Sequence, residues 1–322
     1  MNQIFIFSLP RSGSTLLQRV LMSHDKIKSV AEPWILLPQI YSLRDEGVLS
    51  EYGSMLSSIA IKDFINNLPL KDEDYYDSLR GFITELHQKI ANNGETYFLD
   101  KTPRYYLIIE EIAKVFPNAK FIFLFRSPEQ IYSSMIRTWS NNRLRPFLGS
   151  YHDLTSGFEK LSKGYTKLRD DSIVVRYEDL VLEPEREIKK VLEFLNLDYK
   201  DELIEAFSNQ DTKGELGDPT GVISYKNISS QSLMKWQNTL HTFTRKKSAL
   251  SIINKIDENA MTLQGYDKNE IVSKLKQLKP IFSLKNEIKD LLDYSINSIV
   301  RRTQLLLFFG KRFKWVRKRF IS

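Results

Sequence analysis

The chain has 322 residues, enough to bury one large core or two smaller ones. At 42% hydrophobic, 27% charged and 12% aromatic residues it has the composition of a soluble globular protein, and no apolar run approaches a membrane span. It contains no cysteine, which excludes disulfides, thiolate catalysis and Cys-based zinc sites and points to a reducing, cytoplasmic compartment; the net charge of +7 does not mark a nucleic-acid binder, because residues 301–322 alone carry eight Lys and Arg with no acid and leave residues 1–300 at −1.

In chain order, the apolar run at 4–7 predicts a buried strand, and its lack of a preceding basic stretch distinguishes it from a signal peptide. Ser8-Leu9-Pro10-Arg11-Ser12-Gly13-Ser14-Thr15 follows, a loop of small residues that opens a helix through 16–21. Such a loop aims several backbone N–H groups and the positive end of a helix at one point, which suits a phosphate. Arg11 adds a guanidinium, and Ser12, Ser14 and Thr15 add hydroxyl donors around Gly13. The loop lacks the Lys before its Ser-Thr pair that a nucleoside-triphosphatase loop would carry.

Residues 29–31 predict a short second strand leading into Glu32-Pro33-Trp34. Residues 54–92 read as helical, with breaks near Pro69 and over 72–77. A third strand at 96–99 runs into Asp100-Lys101-Thr102-Pro103, and a helix is expected over 104–116. The continuous apolar run 120–125 predicts a strand buried on both faces. Arg126-Ser127-Pro128 follows it, with a helix from Pro128 to about 139 that contains Ser134. A fifth strand at 172–176 leads to Tyr177-Glu178-Asp179-Leu180, and Pro184 opens a helix to 195. A polar loop over 213–229 precedes Lys235-Trp236. Strands alternating with helices argue for an α/β fold, a parallel sheet covered by helices on both faces, with ligands at the carboxyl ends of the strands. A change in character near Gly265 divides the chain into a domain at 1–265 and a helical, basic C-terminal extension at 266–322.

Taken together, these segments resemble the sulfotransferases that use 3′-phosphoadenosine 5′-phosphosulfate, the tyrosylprotein and carbohydrate branch above all, over residues 3–240. The resemblance implies a phosphate-loop-like fold in which Arg11, Ser12, Gly13, Ser14 and Thr15 hold the 5′-phosphosulfate. It implies that Arg126 and Ser134 bind the 3′-phosphate, that Tyr177 contacts the nucleotide, and that the 217–229 loop with Lys226, together with Lys235, closes over it. It also places Glu32 as the base that takes the acceptor's proton, with Lys101 and Arg11 stabilising charge on the transferring group. Those cations make a metal unnecessary, and no His or carboxylate cluster has metal-ligand spacing. A nucleotide-dependent kinase with the related loop is the more remote reading.

The acceptor is expected to be a hydroxyl of a carbohydrate or glycolipid, with a peptide tyrosine or another small molecule as the alternative. Residues 40–95 and 138–165 are expected to wall its pocket; the second stretch carries Trp139, Arg143, Arg145, Tyr151 and His152, each read singly as an ordinary helix-surface or core residue. Residues 296–320 mix Phe, Trp and Leu with cations as a membrane-surface helix does, so an anionic membrane is a candidate partner and peripheral attachment a candidate location. A helix packed on the enzyme's own surface, or a homodimer contact, would read the same way.

Overall fold

Within residues 120–125, Phe121, Phe123 and Phe125 alternate with Ile122 and Leu124, and all five side chains are buried. The rings join one core with Phe5 and Phe7, while the aliphatic side chains join a second with Ile4 and Ile6. A strand with apolar residues at every position is therefore sandwiched between two layers. The computed structural model describes residues 1–48, 50–144, 150–210, 228–281 and 283–303, apart from the side chains of 150 and 297–303.

Five parallel strands build the sheet: β1 (Asn2–Ser8), β2 (Ile27–Ser29), β3 (Tyr97–Asp100), β4 (Lys120–Phe125) and β5 (Ser172–Arg176), in the order β2-β3-β1-β4-β5. β1 is central, paired with β3 on one side and β4 on the other. The chain winds first to one side of β1 and then to the other, so the topological switch point lies between β1 and β4. All five carboxyl ends share one edge. The segments beginning at Leu9, Val30, Lys101, Arg126 and Tyr177 leave from that edge.

Three expectations shift. The second strand is Ile27–Ser29, two residues earlier than its apolar cluster suggested. Gln18 donates to both the Ser29 hydroxyl and the Val30 carbonyl, which draws the chain off the ladder. The break expected over 72–77 is absent: Asp72–Ile90 is one helix, and Asp72, Glu73 and Asp74 occupy its first turn, where the helix dipole favours acids. The helix expected over 104–116 is split into a tight turn, Pro103–Leu107, and a helix, Ile109–Val115. Tyr105 and Tyr106 both turn inward, to Asp100 and Asp153.

Beyond residue 265 the described residues form two helices, Lys268–Gln277 and Leu284–Thr303. Ile271 and Leu275 of the helix Lys268–Gln277 join the core that holds Phe5 and Phe123. The last described helix, Leu284–Thr303, lies against Phe243–Ile253.

Candidate functional site

At the end of β1 the backbone takes two left-handed conformations, Arg11 at φ 68° and Gly13 at φ 94°. The first is uncommon for a side-chain-bearing residue and marks a loop held by its surroundings. Gly13 is also sterically required, because a Cβ there would lie 2.3 Å from Cδ2 of Tyr177. The helix Ser14–Leu21 starts at this point, and its first amides have no partner within the helix. The buried hydroxyls of Ser8 and Ser12 make no hydrogen bond. An orphaned hydroxyl in a cradle of amides fits an anionic ligand that would complete it.

A second cluster lies across the switch point. Arg126, at the end of β4, donates through Nη1 to the Arg11 carbonyl at 2.9 Å and through Nε to Gln130 at 3.3 Å. Its guanidinium lies 3.8 Å from the centroid of the Tyr177 ring, a cation–π contact that fixes its plane. Arg11 donates to Ser134 at 3.3 Å and to Thr138 at 3.2 Å, both on the helix Pro128–Thr138. Ser134, Arg11, Arg126 and Tyr177, expected near one nucleotide, thus form a chain of contacts in that order. Tyr177 donates to Ser232 at 2.8 Å, tying the cluster to the segment before Lys235. Lys235 is exposed at the start of the helix Lys235–Thr239, and Lys226 lies outside the described residues.

The third part is an ion pair. Lys101, buried at the end of β3, lies 2.9 Å from Glu32 Oε1 and donates weakly to Thr15 at 3.4 Å. Glu32 Oε2 accepts the Trp34 indole N–H at 3.1 Å. Trp34 is itself in a left-handed conformation, φ 56°, with its amide donating to Thr102. Glu32 and Lys101 therefore face each other beside the phosphate loop, joined to it through Thr15. Next to Lys101, Asp100 is fully buried, and desolvation pushes its pKa up to about 7 despite hydrogen bonds from Tyr105 and Thr102.

Of the other residues singled out in the sequence, Arg143 forms a bidentate pair with Asp293 at 3.0 and 2.8 Å. That engagement ties it to the last described helix. Lys255 lies over the Tyr151 ring, and Arg145 falls outside the described residues. His24 closes the turn after the first helix, with its Nδ1 accepting from Lys26 and its Nε2 facing the Asp198 carbonyl at 3.1 Å. Among the described residues no group of three or more His, Asp or Glu is placed to hold a metal ion.

Thr138, Gln130 and Trp34 were not anticipated at the site. Trp34 had a legible signal, an aromatic N–H donor two residues after Glu32. Thr138 lies one turn beyond Ser134, the i+4 position of a helix face, and that periodicity could have found it.

A family model described as the sulfotransferase family matches residues 3–201. Among curated proteins, the chain is 29% identical to the nodulation protein NoeE of Sinorhizobium fredii, over 60% of this chain and 50% of that protein. It is 27% identical to a putative protein-tyrosine sulfotransferase of Caenorhabditis briggsae, over 82% and 89%. It is 29% identical to protein-tyrosine sulfotransferase 1 of Danio rerio, over 63% and 56%. The match thus spans about half the length of two of these three relatives. Among solved structures, the sulfotransferase domain of the curacin biosynthetic pathway has the same fold, with a TM-score of 0.54 at 23% identity over 79% of this chain and 96% of that one.

Proposed function

We propose, from the premise that this chain belongs to the sulfotransferase family, that it moves a sulfuryl group from 3′-phosphoadenosine 5′-phosphosulfate to an acceptor hydroxyl. The carrying observation is the Lys101–Glu32 pair at 2.9 Å, set beside a phosphate loop whose Ser12 hydroxyl is buried and unpartnered. The donor supplies the sulfuryl group and leaves as adenosine 3′,5′-bisphosphate.

In this reading the residues divide four tasks. Arg11, the Ser12, Ser14 and Thr15 hydroxyls, and the amides around Gly13 hold the 5′ end of the nucleotide. Arg126 and Ser134 hold the 3′-phosphate, and the Tyr177 ring orients the Arg126 guanidinium; planar guanidinium donors distinguish a phosphate from a free hydroxyl. Glu32 takes the proton from the acceptor oxygen as that oxygen bonds to sulfur. Lys101 meets the negative charge that builds as the sulfur–oxygen bond to the phosphate breaks, the electron pair staying on the phosphate. Lys101 on Oε1 and the Trp34 indole on Oε2 fix the orientation of the carboxylate, and the acceptor's proton goes to an acceptor site that these two donors leave on it. Lys226 and Lys235 would contact the nucleotide from the closing loop.

The acceptor we favour is a carbohydrate or glycolipid hydroxyl. A tyrosine hydroxyl is the second reading, supported by relatives whose names are protein-tyrosine sulfotransferases. A carboxylate base serves either.

Calorimetry with adenosine 3′,5′-bisphosphate, adenosine 5′-monophosphate and ATP, without added metal, tests the donor site. The expected result is binding of the bisphosphate well above the other two. Preference for ATP would return the site to a kinase. Glu32→Gln is expected to lower turnover by about 10²–10⁴-fold with bisphosphate affinity retained; near-normal turnover would remove Glu32 as the base.

A further inference from the structure

The helix Leu284–Thr303 is packed with its polar side inward. Ordinarily a surface helix buries its apolar stripe and shows its charges to water. Here Asp290 and Asp293 are 1% and 0% exposed. Asp290 accepts from Arg245 at 2.8 and 3.1 Å and from Thr242 at 2.9 Å. Asp293 accepts both arms of Arg143. Glu287 accepts from the backbone N–H of Phe243 and Thr244 and from the Thr244 hydroxyl, capping the helix Phe243–Ile253. These carboxylates latch the helix to the enzyme.

The opposite side is apolar and faces solvent. Leu284, Ile288, Leu291, Leu292 and Ile296 are all exposed, at the i, i+4, i+7, i+8 and i+12 positions of one stripe. Lys285 and Lys289 flank it, and no carboxylate between 284 and 296 is exposed. The sequence that follows, 301–322, has eight cations, no acid, and the apolar residues Leu305 to Phe309 and Trp315. No described helix is long and apolar enough to cross a membrane. An apolar stripe with cationic flanks, continued by a basic and aromatic segment, matches a surface of anionic lipid in both apolarity and charge sign.

We propose that the stripe Leu284, Ile288, Leu291, Leu292 and Ile296 docks this protein on an anionic membrane surface, the helix lying in the interface while Glu287, Asp290 and Asp293 hold it to the enzyme. The buried acids explain why the stripe faces outward: turning it inward would strand Arg245 and Arg143 without their carboxylates. The latch and stripe are independent of the donor site, so this inference stands or falls without the sulfotransferase reading.

Cosedimentation of the full chain with vesicles tests it, using phosphatidylcholine alone and phosphatidylcholine mixed with phosphatidylglycerol. The expected result is binding to the mixed vesicles only, released by salt. The triple variant Ile288→Gln, Leu291→Gln, Leu292→Gln changes exposed positions and should keep the fold, read by circular dichroism. It is expected to bind the mixed vesicles about tenfold or more weakly. Met55→Gln, an exposed apolar residue far along the chain, should bind like the wild type. Three outcomes overturn the proposal. One is wild-type protein that ignores both vesicles. Another is a triple variant that binds as tightly as the wild type, which would leave attachment to residues 304–322 alone. The third is a wild-type dimer by light scattering that the triple variant makes monomeric with no loss of vesicle binding, which would give the stripe to a second copy.

Discussion

Gly13 shows how one residue carries two constraints. Its φ of 94° asks for glycine, and the Tyr177 ring fills the space where a Cβ would sit. Gly13→Ala must therefore move the ring, the loop or both. Since Tyr177 also underlies Arg126, the expected result is loss of adenosine 3′,5′-bisphosphate affinity by about tenfold or more with the protein still folded, measured by calorimetry; unchanged affinity would show that the ring can yield freely. At this scale the sequence was informative about residue types. Arg126, Glu32 and Lys101 each come shortly after a strand, where a parallel sheet gathers its ligand-facing residues, and Ser134 lies on the helix that β4 leads into. The indole donor of Trp34 was legible two residues after Glu32, but its contact needs a left-handed backbone at residue 34 that no pattern of residue types encodes.

Among the elements, the helix Leu284–Thr303 depends on ion pairs for its attachment. Asp290→Ala would leave the Arg245 guanidinium buried with uncharged acceptors, Asn142 and the Thr239 carbonyl. Breaking a buried pair on one side costs about 3–5 kcal/mol, and the helix can avoid that cost by lifting away. Amide exchange over 284–296 is expected to accelerate by at least about tenfold, with exchange in β4 unchanged; equal protection in the variant would show that the latch contributes nothing. The helix was legible as a helix, but its inverted packing was not. That depends on Arg143 and Arg245, distant in sequence, arriving opposite its acids.

Whole-molecule stability carries opposing titrations. His87 is buried against Phe98, with ring centroids 3.7 Å apart and Nδ1 2.8 Å from Gln3. Desolvation lowers its pKa to about 4 from 6.5. The unfolded chain then binds more protons than the folded one between these values, so the neutral ring's stability is complete above pH 6.5 and is lost as pH falls toward 4. Asp100 and Glu129 act in reverse. Burial raises both to about 7, the folded form holds their protons more tightly, and stability falls as pH rises from about 4 to 7. In His87→Asn, the loss of stability on acidification from pH 6.5 to 4 is expected to shrink by roughly 3 kcal/mol, read from urea unfolding at several pH values. An unaltered pH profile would mean that His87 titrates normally in the folded protein.

The sequence alone determined the α/β alternation, because buried parallel strands need continuous apolar runs and crossover helices need periodic ones. It also determined the small-residue loop after β1 and the residue types at the strand ends, since both are local features of the chain. The tertiary structure alone decided which of those ends meet. The order β2-β3-β1-β4-β5 brings Arg126 to Arg11 and Lys101 to Glu32, and strand order is set by which faces pack across the whole sheet. It alone decided that Arg143 pairs with Asp293, and so which face of the C-terminal helix meets solvent. A helix's sequence names its two faces, but the buried charges of its neighbours select the one that turns inward.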